Sequence, residues 1–187
     1  MMVLVIGGSG SGKSAYAEEL ACLLACEEHT AKYYLATMRV LDVEGKQKVE
    51  RHRQQRSGEG FFTIEQPVRI ADALFQMENG RRTVLLECIS NLTANEMFTD
   101  SQIRAKDEVA KNIIGGIEQL KKNTTHLVVV SNNVFEDGMV YDAATMDYID
   151  AVGKINQALA ALSEWVLEIV AGIPVSVKYE RGLHEGA

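Results

Sequence analysis

The residues best equipped for chemistry lie near the start of the chain. Gly7-Gly8-Ser9-Gly10-Ser11-Gly12-Lys13-Ser14 satisfies the pattern G-x-x-x-x-G-K-[ST] in full. Its glycines let the backbone turn so that successive N–H groups converge on phosphate oxygens. A helix beginning there adds the partial positive charge of its N-terminus. In such a loop Lys13 bridges the β- and γ-phosphates of a nucleoside triphosphate and the Ser14 hydroxyl is a ligand for Mg²⁺. The plain alternative is a glycine-rich strand-to-helix turn with no ligand. The flanking sequence weighs against it, because the loop has both the strand and the helix that a phosphate loop needs. Met2 to Ile6 is a short apolar run, and Ala17, Leu20, Ala21 and Leu24 recur at helical spacing within Lys13 to Cys26.

A phosphate loop calls for an acid at the end of a nearby buried strand. Thr83-Val84-Leu85-Leu86-Glu87-Cys88 supplies one, with Glu87 the single charge in an apolar run. A buried carboxylate is costly unless it meets a cation or a proton donor. Glu87 is therefore a candidate to hold Mg²⁺ through a water or to accept a proton from a hydroxyl substrate; the alternative is a strand-end glutamate reaching solvent. A second cluster is basic. Lys46, Lys48, Arg51, Arg53 and Arg56 surround His52, and on a helix Lys48 and Arg56 lie four residues either side of it, on one face. Cations there lower the imidazole pKa and keep the ring neutral and nucleophilic. From the residues alone, a histidine in a charge run is more often a solvated surface group than a nucleophile. His29, His126 and His184 have no such surroundings and read as structure or surface.

The elements that must position these groups alternate. Strands are expected at Met2 to Ile6, Lys32 to Ala36, Phe61 to Ile64, Thr83 to Cys88, His126 to Ser131, Trp165 to Val170 and Pro174 to Lys178. Helices are expected at Lys13 to Cys26, Glu44 to Arg56, Ile70 to Met77, Ser101 to Lys121 (with Gly115-Gly116 weakening its end) and Met146 to Leu162. This is an α/β pattern with a mostly parallel sheet flanked by helices, read as a P-loop NTPase fold of the RecA-like kind. Residues 1–180 are expected to form a single nucleotide-binding catalytic domain, and 181–187 a frayed tail. The length of 187 residues, 47% hydrophobic and 24% charged, suits one globular domain. A net charge of −7 argues against nucleic acid or a membrane surface as partner. No apolar run approaches the ~20 residues that span a bilayer, and the chain reads as cytoplasmic. Cys22, Cys26 and Cys88 fit no metal or disulfide pattern; the first two share a helix face and read as small buried apolar residues.

Taken together, these segments resemble one family. Met2 to Ser14, Tyr34-Leu35-Ala36-Thr37, Asp42 and Glu44 with their spacing to His52 and Arg56, Phe62-Thr63-Ile64-Glu65, Leu85-Leu86-Glu87-Cys88-Ile89-Ser90-Asn91-Leu92, Val130-Ser131-Asn132 and Gly153-Lys154-Ile155-Asn156-Gln157 are similar to the signatures of the bifunctional adenosylcobinamide kinases / adenosylcobinamide-phosphate guanylyltransferases of cobalamin biosynthesis. The resemblance implies that His52 is the residue that becomes guanylylated, which reverses its surface reading. It implies two reactions: phosphorylation of adenosylcobinamide by ATP or GTP with Mg²⁺, and transfer of GMP from GTP to adenosylcobinamide phosphate. It also implies nucleotide contacts by Glu65, Lys48 and Arg56, and a homo-oligomer such as a trimer. The chain departs from the family pattern at Asn133, in the segment Phe135 to Tyr141, and at Met146 and Ile149 before Asp150. These departures leave open a small-molecule kinase without guanylyl transfer. A nucleotide-driven switch is a further alternative, without recognisable effector loops.

Overall fold

The computed structural model describes residues 1–39, 60–99, 102–133 and 141–179. Its elements are β1 (Met2–Gly7), α1 (Lys13–Glu28), β2 (Ala31–Ala36), β3 (Phe61–Glu65), a short 3₁₀ helix (Ile70–Gln76), β4 (Arg82–Glu87), α2 (Ile89–Met97), α3 (Lys106–Lys122), β5 (His126–Asn132), α4 (Ala143–Leu162), β6 (Trp165–Val170) and β7 (Ile173–Tyr179). The strands form one seven-stranded sheet in the order β3-β2-β4-β5-β1-β6-β7. All neighbours are parallel except β6 and β7, a hairpin with a register shift at Val166/Leu167.

Helices cover both faces, so the central strands are apolar on both sides. Alternate residues of β1 go to different layers. Val3 and Val5 join Ala17, Leu20, Ala21 and Leu24 of α1, while Met2 and Leu4 join Ile89, Leu92, Ile113, Ile117, Ile155 and Leu159 of α2, α3 and α4. The α1 residues are those whose spacing predicts the helix. Cys22 and Cys26 depart from expectation: Cys22 is half-buried and Cys26 exposed. Each follows a stripe residue, Ala21 or Ala25, and one step of about 100° carries it off the buried face.

The further differences are local. The segment Ile70–Gln76 winds as a 3₁₀ helix rather than an α-helix. The helix expected from Ser101 begins at Lys106, after a bridge between Phe98 and Ile103, and Asp107, Glu108, Lys121 and Lys122 then complement its dipole. Gly115-Gly116 does not end it. A Cβ on Gly116 would lie 2.9 Å from Ile70 Cγ2, so the missing side chain admits the 3₁₀ helix. Helix α4 starts three residues before Met146, where the Asp142 carboxylate accepts the Thr145 N–H at 3.0 Å. Helix α2 has no counterpart among the expected helices. The expected helix over Glu44 to Arg56, the Asp137-Gly138 turn and the tail from Arg181 lie outside the described residues.

Candidate active site

The phosphate loop leaves β1 at the carboxyl edge of the sheet and enters α1. Gly12 is the N-cap at φ 91°, a left-handed conformation that favours glycine. A Cβ on Gly7 would come within 2.7 Å of Ser11 Oγ and 2.8 Å of the Ile169 carbonyl. The loop is braced from outside: the Gly172 N–H, in the β6–β7 turn, donates to the Ser11 carbonyl at 2.8 Å, and the Asn133 N–H donates to the Gly7 carbonyl at 3.1 Å. Gly8, Ser9 and Gly10 are exposed on the loop. Lys13 is buried, and its ammonium donates to the Gly8 carbonyl at 3.0 Å. Burial pushes its pKa down, against the opposing pull of Cys88 and Glu87.

Strand β5 separates β1 from β4, and Glu87 closes β4 at the same edge. Its two carboxylate oxygens are held from different elements. Oε1 accepts the Ser14 hydroxyl of α1 at 2.5 Å, and Oε2 accepts the Tyr34 hydroxyl of β2 at 2.9 Å. Thr37, fully buried just past β2, fixes the next peptide. It donates to the Cys88 carbonyl at 2.8 Å and accepts the Cys88 N–H at 2.7 Å, and its own N–H bonds the Glu87 carbonyl at 3.0 Å. The Glu87–Cys88 peptide is cis. Asn95 of α2 ties the Thr37 and Pro67 carbonyls at 2.7 and 3.0 Å. Burial pushes the Cys88 thiol up, with the amides of Asn91 and Ser90 opposing, so the thiol form is favoured.

Thus Gly7 to Ser14 and Glu87 come together as the sequence suggests. Glu65 ends β3, exposed, in register with Ala36, which is itself in register with Glu87. The three residues stand abreast on one face, with Glu65 two strand spacings from Glu87, about 10 Å. His52, Lys48 and Arg56 lie outside the described residues. Tyr34, Thr37 and Asn95 are the members that residue-level reasoning leaves without a role. Their signal is a polar hydroxyl or amide at the end of a buried strand or on a helix beside it. Of the positions that depart from the family pattern, Tyr141 and Met146 are exposed; Asp150, which follows them and keeps the family residue, is engaged by Lys106 and Lys154 on the α3–α4 surface.

Ser14 and Glu87 offer hard oxygen atoms, the donor type that Mg²⁺ takes together with substrate phosphates. No group of three or more His, Cys, Asp or Glu able to hold a metal exists among the described residues. Among them, no helix is long and apolar enough to cross a membrane.

A parallel sheet with a phosphate loop after β1 and an acid ending β4 defines a P-loop nucleotide-binding protein. A solved ATPase domain shares this fold at TM-score 0.56 over 97% of this chain and 78% of its own, at 10% identity. The family model described as cobinamide kinase / cobinamide phosphate guanyltransferase matches residues 3–177, and the chain belongs to that family. It is 30% identical to the bifunctional adenosylcobalamin biosynthesis protein CobU of Escherichia coli, over 95% of this chain and all of that one. It is 29% identical to the corresponding protein CobP of Pseudomonas aeruginosa, over 96% and 99%.

Proposed function

We propose that the chain performs both reactions of its family, phosphorylating adenosylcobinamide and then guanylylating the product to adenosylcobinamide-GDP. The observation that carries the kinase half is the contact between Ser14 Oγ and Glu87 Oε1 at the mouth of the phosphate loop. It joins the helix that receives the phosphates to the one acid ending a central strand. In the first reaction the hydroxyl of the aminopropanol arm attacks the γ-phosphorus of ATP or GTP, and the nucleoside diphosphate leaves. The loop amides and Lys13 offset charge on the transferring group, and Glu87 is the base within reach of the loop for the hydroxyl proton. Ser14 and Glu87 are also the residues that would hold Mg²⁺, whose role when bound is to neutralise phosphate charge.

In the second reaction a neutral His52 nitrogen attacks the α-phosphorus of GTP, and pyrophosphate leaves. The phosphate of adenosylcobinamide phosphate then attacks the same phosphorus, the P–N bond breaks, and GMP passes to the corrinoid. Lys48 and Arg56 hold the triphosphate, and Glu65 joins the nucleotide contacts. Support for this half is membership of the family together with the basic run around His52.

We also read the chain as a cytoplasmic homo-oligomer, a trimer by family likeness. Free cysteines agree with a reducing compartment. Edge strand β7 leaves Ile173, Val175, Val177 and Tyr179 exposed, a surface that self-association would cover.

Incubation with GTP labelled at the α-phosphate tests the covalent step. Acid-labile, base-stable label is expected on the protein and none on His52→Asn. Turnover to adenosylcobinamide-GDP with no label retained at any stage would refute guanylylation.

A further inference from the structure

We infer that Tyr34 is a positioning residue for Glu87, fixing one carboxylate oxygen so that the other stays turned to Ser14 and the phosphate loop. The inference rests on the catalytic reading of Glu87 given above and concerns how that group is held. Strand register sets the geometry. Ala36 is the register partner of Glu87 and Tyr34 that of Leu85, so Tyr34 lies one strand over and two residues back, on the same face. Its side chain is buried in the apolar layer with Leu85 and Val128, and its hydroxyl reaches Glu87 Oε2 at 2.9 Å. With Ser14 on Oε1, the carboxylate is held at both ends, and rotating it would break two hydrogen bonds.

The neighbouring tyrosine provides the contrast. Tyr33 faces the other layer and accepts the Glu78 backbone N–H at 3.1 Å. That bond satisfies a buried hydroxyl and a turn amide, and it touches nothing at the phosphate loop. Tyr34 instead donates to the acid that ends the central strand. A buried tyrosine hydroxyl needs a partner in any case, so the two uses must be separated by a measurement that a purely structural bond would not move.

The measurement is the gain in affinity for a fluorescent GTP analogue when Mg²⁺ is added, taken alongside kcat and the KM for adenosylcobinamide. The proteins are the wild type, Tyr34→Phe, Tyr33→Phe, Glu87→Gln and the Tyr34→Phe/Glu87→Gln double variant. Tyr34→Phe is expected to lose about tenfold in the Mg²⁺-dependent gain and in kcat, the size of one hydrogen bond to a charged group, with KM for the corrinoid unchanged. Tyr33→Phe should leave both quantities as they are. In the Glu87→Gln background, Tyr34→Phe should add no further loss, since residues acting as a unit are not additive. A Tyr34→Phe protein with wild-type gain and kcat overturns the inference, as does an equal loss in both backgrounds. Full activity of Glu87→Gln would instead overturn the reading of Glu87 itself. If Tyr34→Phe folds poorly, a fluorinated tyrosine at position 34 keeps ring and hydroxyl and alters the donor. It is expected to change kcat only while Glu87 is present, and a change in both backgrounds again overturns the inference.

Discussion

The two edges of the sheet use polar atoms in opposite ways. At the carboxyl edge the loop amides, Lys13, Ser14 and Glu87 are gathered around the phosphate loop, braced from behind by Tyr34, Thr37 and Gly172. At the amino edge nearly every polar group is consumed internally. Glu164 accepts the Met2 N–H at 2.5 Å and Lys121 at 2.7 Å, Lys121 also caps the Leu162 carbonyl, and the Met1 ammonium donates to the Thr125 carbonyl. Thr30 and Thr83 bond each other at 2.6 Å, and Arg81 pairs with Glu28. One edge uses its polarity to close the fold, and the other gathers it beside the exposed turn of the phosphate loop. Substitutions should therefore separate cleanly, with activity lost at the first edge and stability at the second.

The largest effect should come from Lys13→Ala. On the mechanism proposed above, loss of this cation from the phosphate loop should cut kcat for the kinase reaction about a thousandfold, followed by transfer of γ-labelled phosphate to adenosylcobinamide. The melting temperature should hardly fall, because the group removed carries a desolvation cost in the fold. A protein that unfolds on this change would erase the contrast between the edges.

Gly7→Ala sharpens the same point one step down. The new Cβ would meet Ser11 Oγ and the Ile169 carbonyl at 2.7 and 2.8 Å, and one of these contacts is backbone. The strain, of order 1–3 kcal/mol, falls on the loop itself. Nucleotide affinity should drop roughly tenfold or more, with a smaller loss of melting temperature, read by titration with a fluorescent nucleotide and by thermal unfolding.

These two residues also show what the sequence could disclose. The loop is contiguous, so its glycines, Lys13 and Ser14 announce themselves in eight positions, and Glu87 stands out as the one acid in an apolar run. Its support does not. Tyr34 lies 53 residues from Glu87, Thr37 lies 51 from Cys88, and Asn95 lies 58 from Thr37; only the pairing of β2 with β4 and the packing of α2 beside them bring them together. Helix α2 escapes notice because it starts one residue after β4 behind Cys88, which is not a usual N-cap residue, and runs for only nine residues. The acidic pair Asp107-Glu108 could have marked the true start of α3. For Cys22 and Cys26, a four-residue spacing fixes a shared face without saying which face is buried.

At the amino edge, Glu164→Gln should leave both activities untouched. It removes the charge that joins Lys121 to the start of β1, where Glu164 is about one-third exposed, so solvent screening keeps the cost near 1 kcal/mol. Chemical denaturation of the variant and the wild type at neutral pH, with initial rates in parallel, measures the difference.

His126 is an exception at that edge, as is the Nε of Arg82, and it carries the smallest effect. It is buried at the start of β5, and among the described residues neither ring nitrogen has a hydrogen-bond partner. Burial lowers its pKa from 6.5, the chain N-terminus and Arg81 push the same way, and Glu27 opposes them. The folded state thus prefers the neutral ring. Between 6.5 and the depressed folded value the unfolded chain binds a proton that the folded chain does not. Stability is therefore fully present above 6.5 and lost as pH falls through that window, at no more than about 1.4 kcal/mol per pH unit for one proton. Below the folded pKa both states are protonated and this contribution levels off. His126→Gln should flatten that part of the stability curve while leaving Mg²⁺-dependent nucleotide binding at the opposite edge unchanged. An identical slope in both proteins would assign the acid sensitivity to other groups, and a change in nucleotide binding would mean that the two edges are coupled through β5.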